Sequence, residues 1–216
     1  MTVELIRPFG PSIAKIKIPG DMVKTLNNYV DKLIIDTKKA KELSAGANLA
    51  GDVTQEFKLE KEFSQKSGWL DLISKGTFQW IQLSCKKSIK EFKMIDSWIV
   101  RQFQNEYNPV HMHGGHVSGA GFLKVPKTLG KHIQEEKQGV KHYAGGTLNL
   151  IHGSKQFLSN STFQINPEVG DFYFFPNYMM HTVYPFKGTD EERRSISFNA
   201  FIDETVHNVY AEYVKK

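Results

Sequence analysis

From Ile95 onward the chain is a series of short runs rich in β-branched and aromatic residues: "DSWIVRQF", "VSGAGFLKVP", "GGTLNLIHG", "STFQINPEVGDFYFFP", "HTVYPF" and "RRSISFNAFID". Turn residues separate the runs, a pattern that suits antiparallel sandwiches and barrels. The region before them reads mainly as helix. After a short strand ending at Pro19–Gly20, Asp21 is expected to cap a helix in which Met22, Val23, Leu26, Val30, Leu33 and Ile34 form one apolar stripe. A second helix is expected over about 66–90, with Trp69, Leu72, Ile73, Trp80 and Leu83 buried, and "SAGANLAGD" (44–52) reads as loop. Helices first and strands afterwards imply an α+β, mainly β fold: a double-stranded β-helix, or jelly roll, with N-terminal helices packed on one sheet. No Pro/Gly/Ser-rich linker or repeat divides the 216 residues. One domain is therefore expected, with mainly helical support in 1–94, the jelly-roll core in 95–203 and a C-terminal tail in 204–216.

One strand constrains the interior. In "RRSISFNAF" Arg193, Ser195, Ser197 and Asn199 share one face, while Arg194, Ile196, Phe198, Ala200 and Ile202 share the other. The second face is expected to meet the helices. From alternation alone, the first could simply face water. In a closed roll it lines the interior, where a buried arginine needs an anionic partner.

The formal net charge is +5, with basic residues dispersed apart from modest clusters at Lys38–Lys41 and Lys86–Lys90. A nucleic-acid surface would carry a basic stripe with interleaved aromatics, which is not seen. Cys85 is the only cysteine, so no disulfide staples the chain; it reads as a packed helical thiol in a reducing compartment. The N-terminus lacks the apolar run of a signal peptide, and no segment has the length of a membrane span. A cytoplasmic protein with no membrane partner is expected.

The stretch "NPVHMHGGH" places His111, His113 and His116 within six positions. Residues two apart on an extended segment point the same way, so His111 and His113 can converge on one ion. His116 follows Gly114–Gly115 and would need a turn to return. Imidazoles suit Fe, Zn, Cu and Ni alike. The best distant third ligand is His181 in "FPNYMMHTVYPF". A His-x-His pair alone is common by chance, and a lone His181 is ordinarily a core or rim histidine. His132, His142, His152 and His207 read as surface residues.

The order of these segments, "NPVHMHGGHVSGAGFLKVP", then "GDFYFFPNYMMHTV", then "RRSISFN", resembles the core of the Fe(II)- and 2-oxoglutarate-dependent oxygenases over residues 95–203. It is most similar to the group of such oxygenases found in phages and marine bacteria, a phage-encoded member of which would act in the host cytoplasm. The resemblance implies metal ligation by His111 and His181, and a grip on the far carboxylate of 2-oxoglutarate by Arg193 and Ser195. His113 stands where the family ordinarily carries a carboxylate ligand, as in the phage-like group. His113 is accordingly expected as the third metal ligand, with a second role for it, or ligation by His116, Glu106 or Asp171, left open. The implied cofactors are Fe(II) and 2-oxoglutarate. The implied activity is hydroxylation of an unidentified peptidyl or small-molecule substrate, with 2-oxoglutarate decarboxylated to succinate. Trp98, Tyr107, Phe122 and Tyr178 are candidates for shaping the substrate pocket or for core packing, and the polar segment 127–144 reads as a long loop bordering the site. Two other classes remain: a cupin-like three-histidine oxygenase that does not use 2-oxoglutarate, and a non-enzymatic jelly-roll binding or structural module.

Overall fold

A computed structural model describes residues 1–6, 10–45, 51–131 and 144–208. Two antiparallel sheets face one another. The larger contains β1 (Val3–Ile6), β2 (Ile13–Lys17), β3 (Gln55–Lys58), β4 (Phe92–Gln102), β6 (Val117–Lys124), β9 (Asp171–Pro176) and β11 (Arg193–Ile202), in the order β1-β2-β9-β6-β11-β4-β3. The smaller contains β5 (Asn108–His111), β10 (Met180–Val183), β7 (Leu148–Ile151) and β8 (Thr162–Ile165), in that spatial order. The helices are α1 (Gly20–Leu33), α2 (Thr37–Glu42), α3 (Lys61–Lys66), α4 (Trp69–Cys85) and the short α5 (Glu204–His207).

The centre of the large sheet is buried on both faces, and alternation sorts its residues between two cores. On the helix side, Phe172 and Phe174 of β9 and Ile196, Phe198 and Ala200 of β11 pack with Leu26 and Val30 of α1 and Trp69, Ile73 and Trp80 of α4. On the inner side, Tyr173 and Phe175 of β9 and Phe122 of β6 meet Leu148 and Leu150 of the small sheet. The unbroken apolar run "FYFF" is thus a strand with two dry faces. Burying each such side chain contributes about 1.5–3 kcal/mol, so the helix layer is integral to the sheet's stability.

The jelly-roll architecture with helices against one sheet is the one the strand pattern implies. Several local expectations are corrected. Besides the expected short strand before the first helix, β2, residues 1–94 supply β1 and β3, the two edge strands of the large sheet. Both are four residues long, too short for periodicity to stand out from neighbouring helices. Asp21 does not cap α1: the helix already starts at Gly20 behind Pro19, and Asp21 lies in its first turn, where its charge favours the helix dipole. Helix α4 stops at Cys85 because Lys86 adopts φ 61, a left-handed terminus. Its last turn leaves the sheet, so Leu83 is 41% exposed rather than buried. Cys85 is exposed too rather than packed, its thiol donating to the Ile81 carbonyl. Within 44–52, Ser44 bridges to Phe57 and Asp52 to Tyr107, while 46–50 lie outside the described residues. Of the polar segment 127–144, residues 132–143 lie outside the description, including His132 and His142. Among the described residues, no helix is long and apolar enough to cross a membrane.

Gly119 and Gly121 let β6 lie close against the aromatic face of β9. A Cβ on Gly121 would stand 2.5 Å from the Asp171 carbonyl oxygen and 2.9 Å from Phe172 Cα, both backbone atoms that cannot rotate away. Gly121→Ala is therefore expected to destabilise the protein by about 2–3 kcal/mol or more, read as a lower urea midpoint. Gly20→Ala, which meets nothing within 4 Å, should change stability by less than about 0.5 kcal/mol. Equal midpoints for the two variants would contradict the packing described.

Candidate active site

Cross-strand register brings two distant histidines together. In the β5–β10 pair, His111 lies directly opposite His181, so both side chains project to the same, inner side of the small sheet. His113 continues past the end of β5 and is clamped by Asn177 of the turn before β10. Its N–H donates to the Asn177 carbonyl at 3.1 Å, and the Asn177 amide donates back to its carbonyl at 3.2 Å.

The three rings stand close together, with centroid separations of 4.2 Å for His111–His181, 4.8 Å for His113–His181 and 4.9 Å for His111–His113. His111 Nδ1 donates to the Pro109 carbonyl at 2.7 Å, and His181 Nδ1 donates to the Met179 carbonyl at 2.9 Å. Both bonds fix the tautomer that leaves Nε2 as a lone pair, the arrangement metal-ligating histidines adopt. Burial, aided by the neighbouring His181 and His111, lowers the His113 pKa to about 3. Burial and His111 lower that of His181 to about 4, against the opposing effect of the Met179 carbonyl. At neutral pH these two rings are therefore uncharged ligands.

The donor set fits one divalent transition-metal ion. His113 Nε2 and His181 Nε2 are 3.0 Å apart, while two nitrogens bound at right angles with bonds of about 2.1 Å would be about 3.0 Å apart. One ligating atom from each of the three histidines lies within 4.8 Å of the others. Trp98 meets the His113 ring edge-on at 5.4 Å, and Phe175 lies 5.1 Å from the His181 ring, so apolar walls hold the imidazoles.

A narrow inner cavity of about 40 Å³ runs from these histidines to Arg193 and Ser195, with Asn108, Phe122 and Leu148 among its walls. The paired arginines at the start of β11 have opposite surroundings. Arg194 is saturated: Glu192 accepts at 2.6 Å, Asp31 at 2.7 Å and Asn27 at 3.0 Å. Burial pushes the Glu192 pKa up, but its bonds to Arg101 and Arg194 outweigh that and hold it below the carboxylate range. Arg193, 2% exposed, donates Nε–H to the Gly146 carbonyl at 2.8 Å and lies over the Phe122 ring. No carboxylate among the described residues pairs with it. Burial lowers its pKa to about 10, so it stays charged at neutral pH. A buried guanidinium without an anion costs several kcal/mol, roughly, and its unused donors face a cavity that would admit a slim carboxylate.

Other candidate residues fall elsewhere. His116 points away from this cluster, toward Ile202 and Glu204. Glu106 caps local N–H groups at Thr54 and Phe103. Asp171 is ion-paired with Lys15 and Lys17. Of the aromatics, Trp98 and Phe122 line the inner cavity, while Tyr107 and Tyr178 are 39% and 51% exposed. Sequence reasoning passed over Asn177, which clamps His113, and Asn108, whose only signal was its place three residues before His111. It also passed over Glu56 on β3. Glu56 is 2% exposed, and neither carboxylate oxygen has a hydrogen-bond partner among the described residues. Burial raises its pKa to about 7, with the Glu106 charge adding to the rise and the Asn108 side chain opposing it.

A family described as "Putative 2OG-Fe(II) oxygenase" matches residues 96–199. Among solved structures, a prolyl-4-hydroxylase from Pseudomonas putida is similar with a TM-score of 0.57 at 15% identity, over 87% of this chain and 91% of that one. A Trichoplax adhaerens prolyl hydroxylase in complex with a hypoxia inducible factor peptide fragment gives 0.55 at 12%, over 90% and 85%. The viral collagen prolyl hydroxylase of Paramecium Bursaria Chlorella virus-1, in its 2OG complex, gives 0.52 at 15%, over 88% and 94%. No curated protein matches. The fold is that of a double-stranded β-helix oxygenase. Residues 96–199 are thus similar to the 2OG-Fe(II) oxygenases, a family whose members use Fe(II) and 2-oxoglutarate.

Because the Glu56 pKa is raised in the folded state, the native protein holds a proton that the unfolded chain releases above about 4.5. Its cost is absent below that pH, grows toward pH 7 and is complete above it. Glu56→Gln is expected to be more stable than the parent at pH 8, by up to about 3 kcal/mol, and to lose that advantage near pH 4. Denaturant titrations at the two pH values check this; an equal difference at both would contradict it.

Proposed function

We propose that this protein is a 2-oxoglutarate-dependent Fe(II) hydroxylase. In this reading His111, His113 and His181 hold the metal, and Arg193 and Ser195 hold the far carboxylate of 2-oxoglutarate. The observation that carries it is the pairing, in one cavity, of three converging imidazoles with a buried arginine that has no protein anion. A cupin-like oxygenase without 2-oxoglutarate would have no use for that arginine, and a structural module would need neither feature. When bound, the iron and 2-oxoglutarate supply the oxidising chemistry, with 2-oxoglutarate converted to succinate and CO₂ as one oxygen atom of O₂ enters the substrate.

The chain's own contribution is placement and shielding. The Pro109 and Met179 carbonyls keep the Nε2 lone pairs of His111 and His181 directed inward, and Asn177 fixes the backbone of His113. Arg193 and Ser195 would anchor one end of the dicarboxylate and leave its other end to the metal held by the histidines, converting a bimolecular encounter into a held geometry. Trp98, Phe122 and Leu148 exclude water from the space between.

A second, wider cleft of about 290 Å³ adjoins the first and shares Trp98 and His113 with it; Lys58, Asp96, Met112 and Asn199 also line it. We assign the substrate to this outer cleft. An extended peptide suits it best: β5, the edge strand of the small sheet, runs up to the cleft with Val110 and Met112 exposed beside it, and such an edge can pair with an added strand. The peptide bound by the Trichoplax relative supports this class over a free metabolite. The single cysteine and the use of ferrous iron favour a reducing compartment such as the cytoplasm.

Anaerobic addition of Fe(II) and 2-oxoglutarate is expected to produce the visible charge-transfer band of the chelate. Its absence in metal-loaded protein would favour the cupin-like alternative. Arg193→Ala should weaken 2-oxoglutarate binding at least ~10-fold, in keeping with loss of a charged hydrogen-bond donor, while metal content is retained. His111→Ala and His181→Ala should each abolish stoichiometric iron binding at this site. Metal loss in the arginine variant, or retention in both histidine variants, would refute the assigned roles.

A further inference from the structure

We propose that His116, Glu204 and His207 form a second cation site, distinct from the three-histidine cluster. It would take a borderline transition-metal dication such as Zn²⁺ or Ni²⁺ and fasten α5 to the start of β6. The third histidine of "HMHGGH" is thereby given a role that the active site leaves open. Gly115, at φ 92 and with space for no Cβ against the Ala200 carbonyl oxygen at 2.9 Å, turns the chain. His116 consequently leaves the roll's interior and joins the end of β11, its N–H donating to the Ala200 carbonyl at 2.9 Å.

The second half of the set comes from the helix. Glu204 and His207 are three residues apart in "ETVH", so their side chains share one face; helical carboxylate metal sites use the same Glu-x-x-His spacing. His116 Nε2 stands 3.3 Å from Glu204 Oε2, and one ligating atom of each of the three residues lies within 4.8 Å of the others. Two imidazoles and one carboxylate are a donor set for zinc, nickel or iron rather than calcium or magnesium.

The frame is built before any ion arrives. With its side chain 10% exposed, His116 has Nδ1 3.1 Å from the Ile202 carbonyl oxygen, and Phe201 packs edge-on against its ring. The Ile202 backbone offers Nδ1 both its carbonyl and, at 3.2 Å, its N–H, so either tautomer is accommodated; a cation bound at Nε2 selects the one in which Nδ1 donates to the carbonyl. Asp203, just ahead of the helix, accepts from the Lys90 and Glu91 N–H groups at 2.7 and 2.9 Å, which fixes where α5 begins. The His207 ring lies flat on that of His116, 3.7 Å between centroids at 8°. Parallel rings do not aim both lone pairs at one point, so closure on an ion requires the exposed His207 side chain to rotate out of the stack. The cost is small, because only one surface imidazole moves.

The test uses the untagged, metal-stripped full chain titrated with Ni²⁺, and separately Zn²⁺, by calorimetry. Wild type should take up two equivalents, the second with micromolar or tighter affinity. His207→Ala and His116→Gln should each lose one equivalent while keeping the Fe(II)–2-oxoglutarate band. His111→Ala should lose the other equivalent only, so a failure of the active-site assignment is separable from a failure here. Unchanged stoichiometry in His207→Ala, or a second equivalent seen only at millimolar metal, would overturn the proposal. His207 is a surface residue of a four-residue helix, so its variant remains interpretable even if His116→Gln does not fold.

Discussion

The structure turns on a strand that is covered on both sides along most of its length. β11 lies between β6 and β4 in the large sheet, covered by helices on one side and by the roll's interior on the other. Such a strand can carry charge only where charge is answered. Arg194 is answered by Glu192, Asp31 and Asn27, which tie α1 to the sheet. Arg193, one residue earlier, points inward and has only the Gly146 carbonyl and the Phe122 ring. The same backbone alternation that packs Ile196 and Phe198 against the helices thus leaves a cation in the cavity. That cavity is completed by histidines of the opposing sheet.

Three imidazoles in place of two imidazoles and a carboxylate alter the electrostatics. A divalent ion held by neutral ligands keeps its full charge, one unit more positive than in a site with a carboxylate. Under the proposed assignment, such an ion together with Arg193 would bring three positive charges to the cavity, and a dianionic cosubstrate would remove most of that excess. Metal and dicarboxylate would then support one another. Surrounding apolar groups, Trp98, Phe122 and Leu148, strengthen the attraction by lowering the local dielectric. Glu56 lies outside the lining of this cavity; its own burial, together with the Glu106 charge, raises its pKa against the opposing Asn108 side chain.

Much of the fold was legible because the strands after Ile95 are long enough, or apolar enough, to show their period. Every one of the six runs contains a strand. The small edge strands β1 and β3 and the exact end of α4 were not, since four residues carry little periodicity and a helix can end on a lysine at positive φ. Leu83 and Cys85 look like core residues by type, yet they lie on a turn that projects beyond the sheet. Exposure there depends on where a neighbouring layer stops, which local sequence does not encode.

His111 and His113 were visible as a pair, and Arg193 and Ser195 as one face of a strand, from spacing alone. That His181 stands opposite His111 is a matter of register between strands separated by seventy positions. Asn177 and Asn108 came to the site through long-range pairing with no motif to announce them. The division of the three clustered histidines between two places was decided by the Gly114–Gly115 turn and by the position of β11 beneath it. Residue order by itself determined which groups could bind a metal and which strand faces could be apolar, because those follow from side-chain chemistry and local period. Which of those groups met was decided by tertiary structure, because convergence is a property of packed sheets and not of the chain.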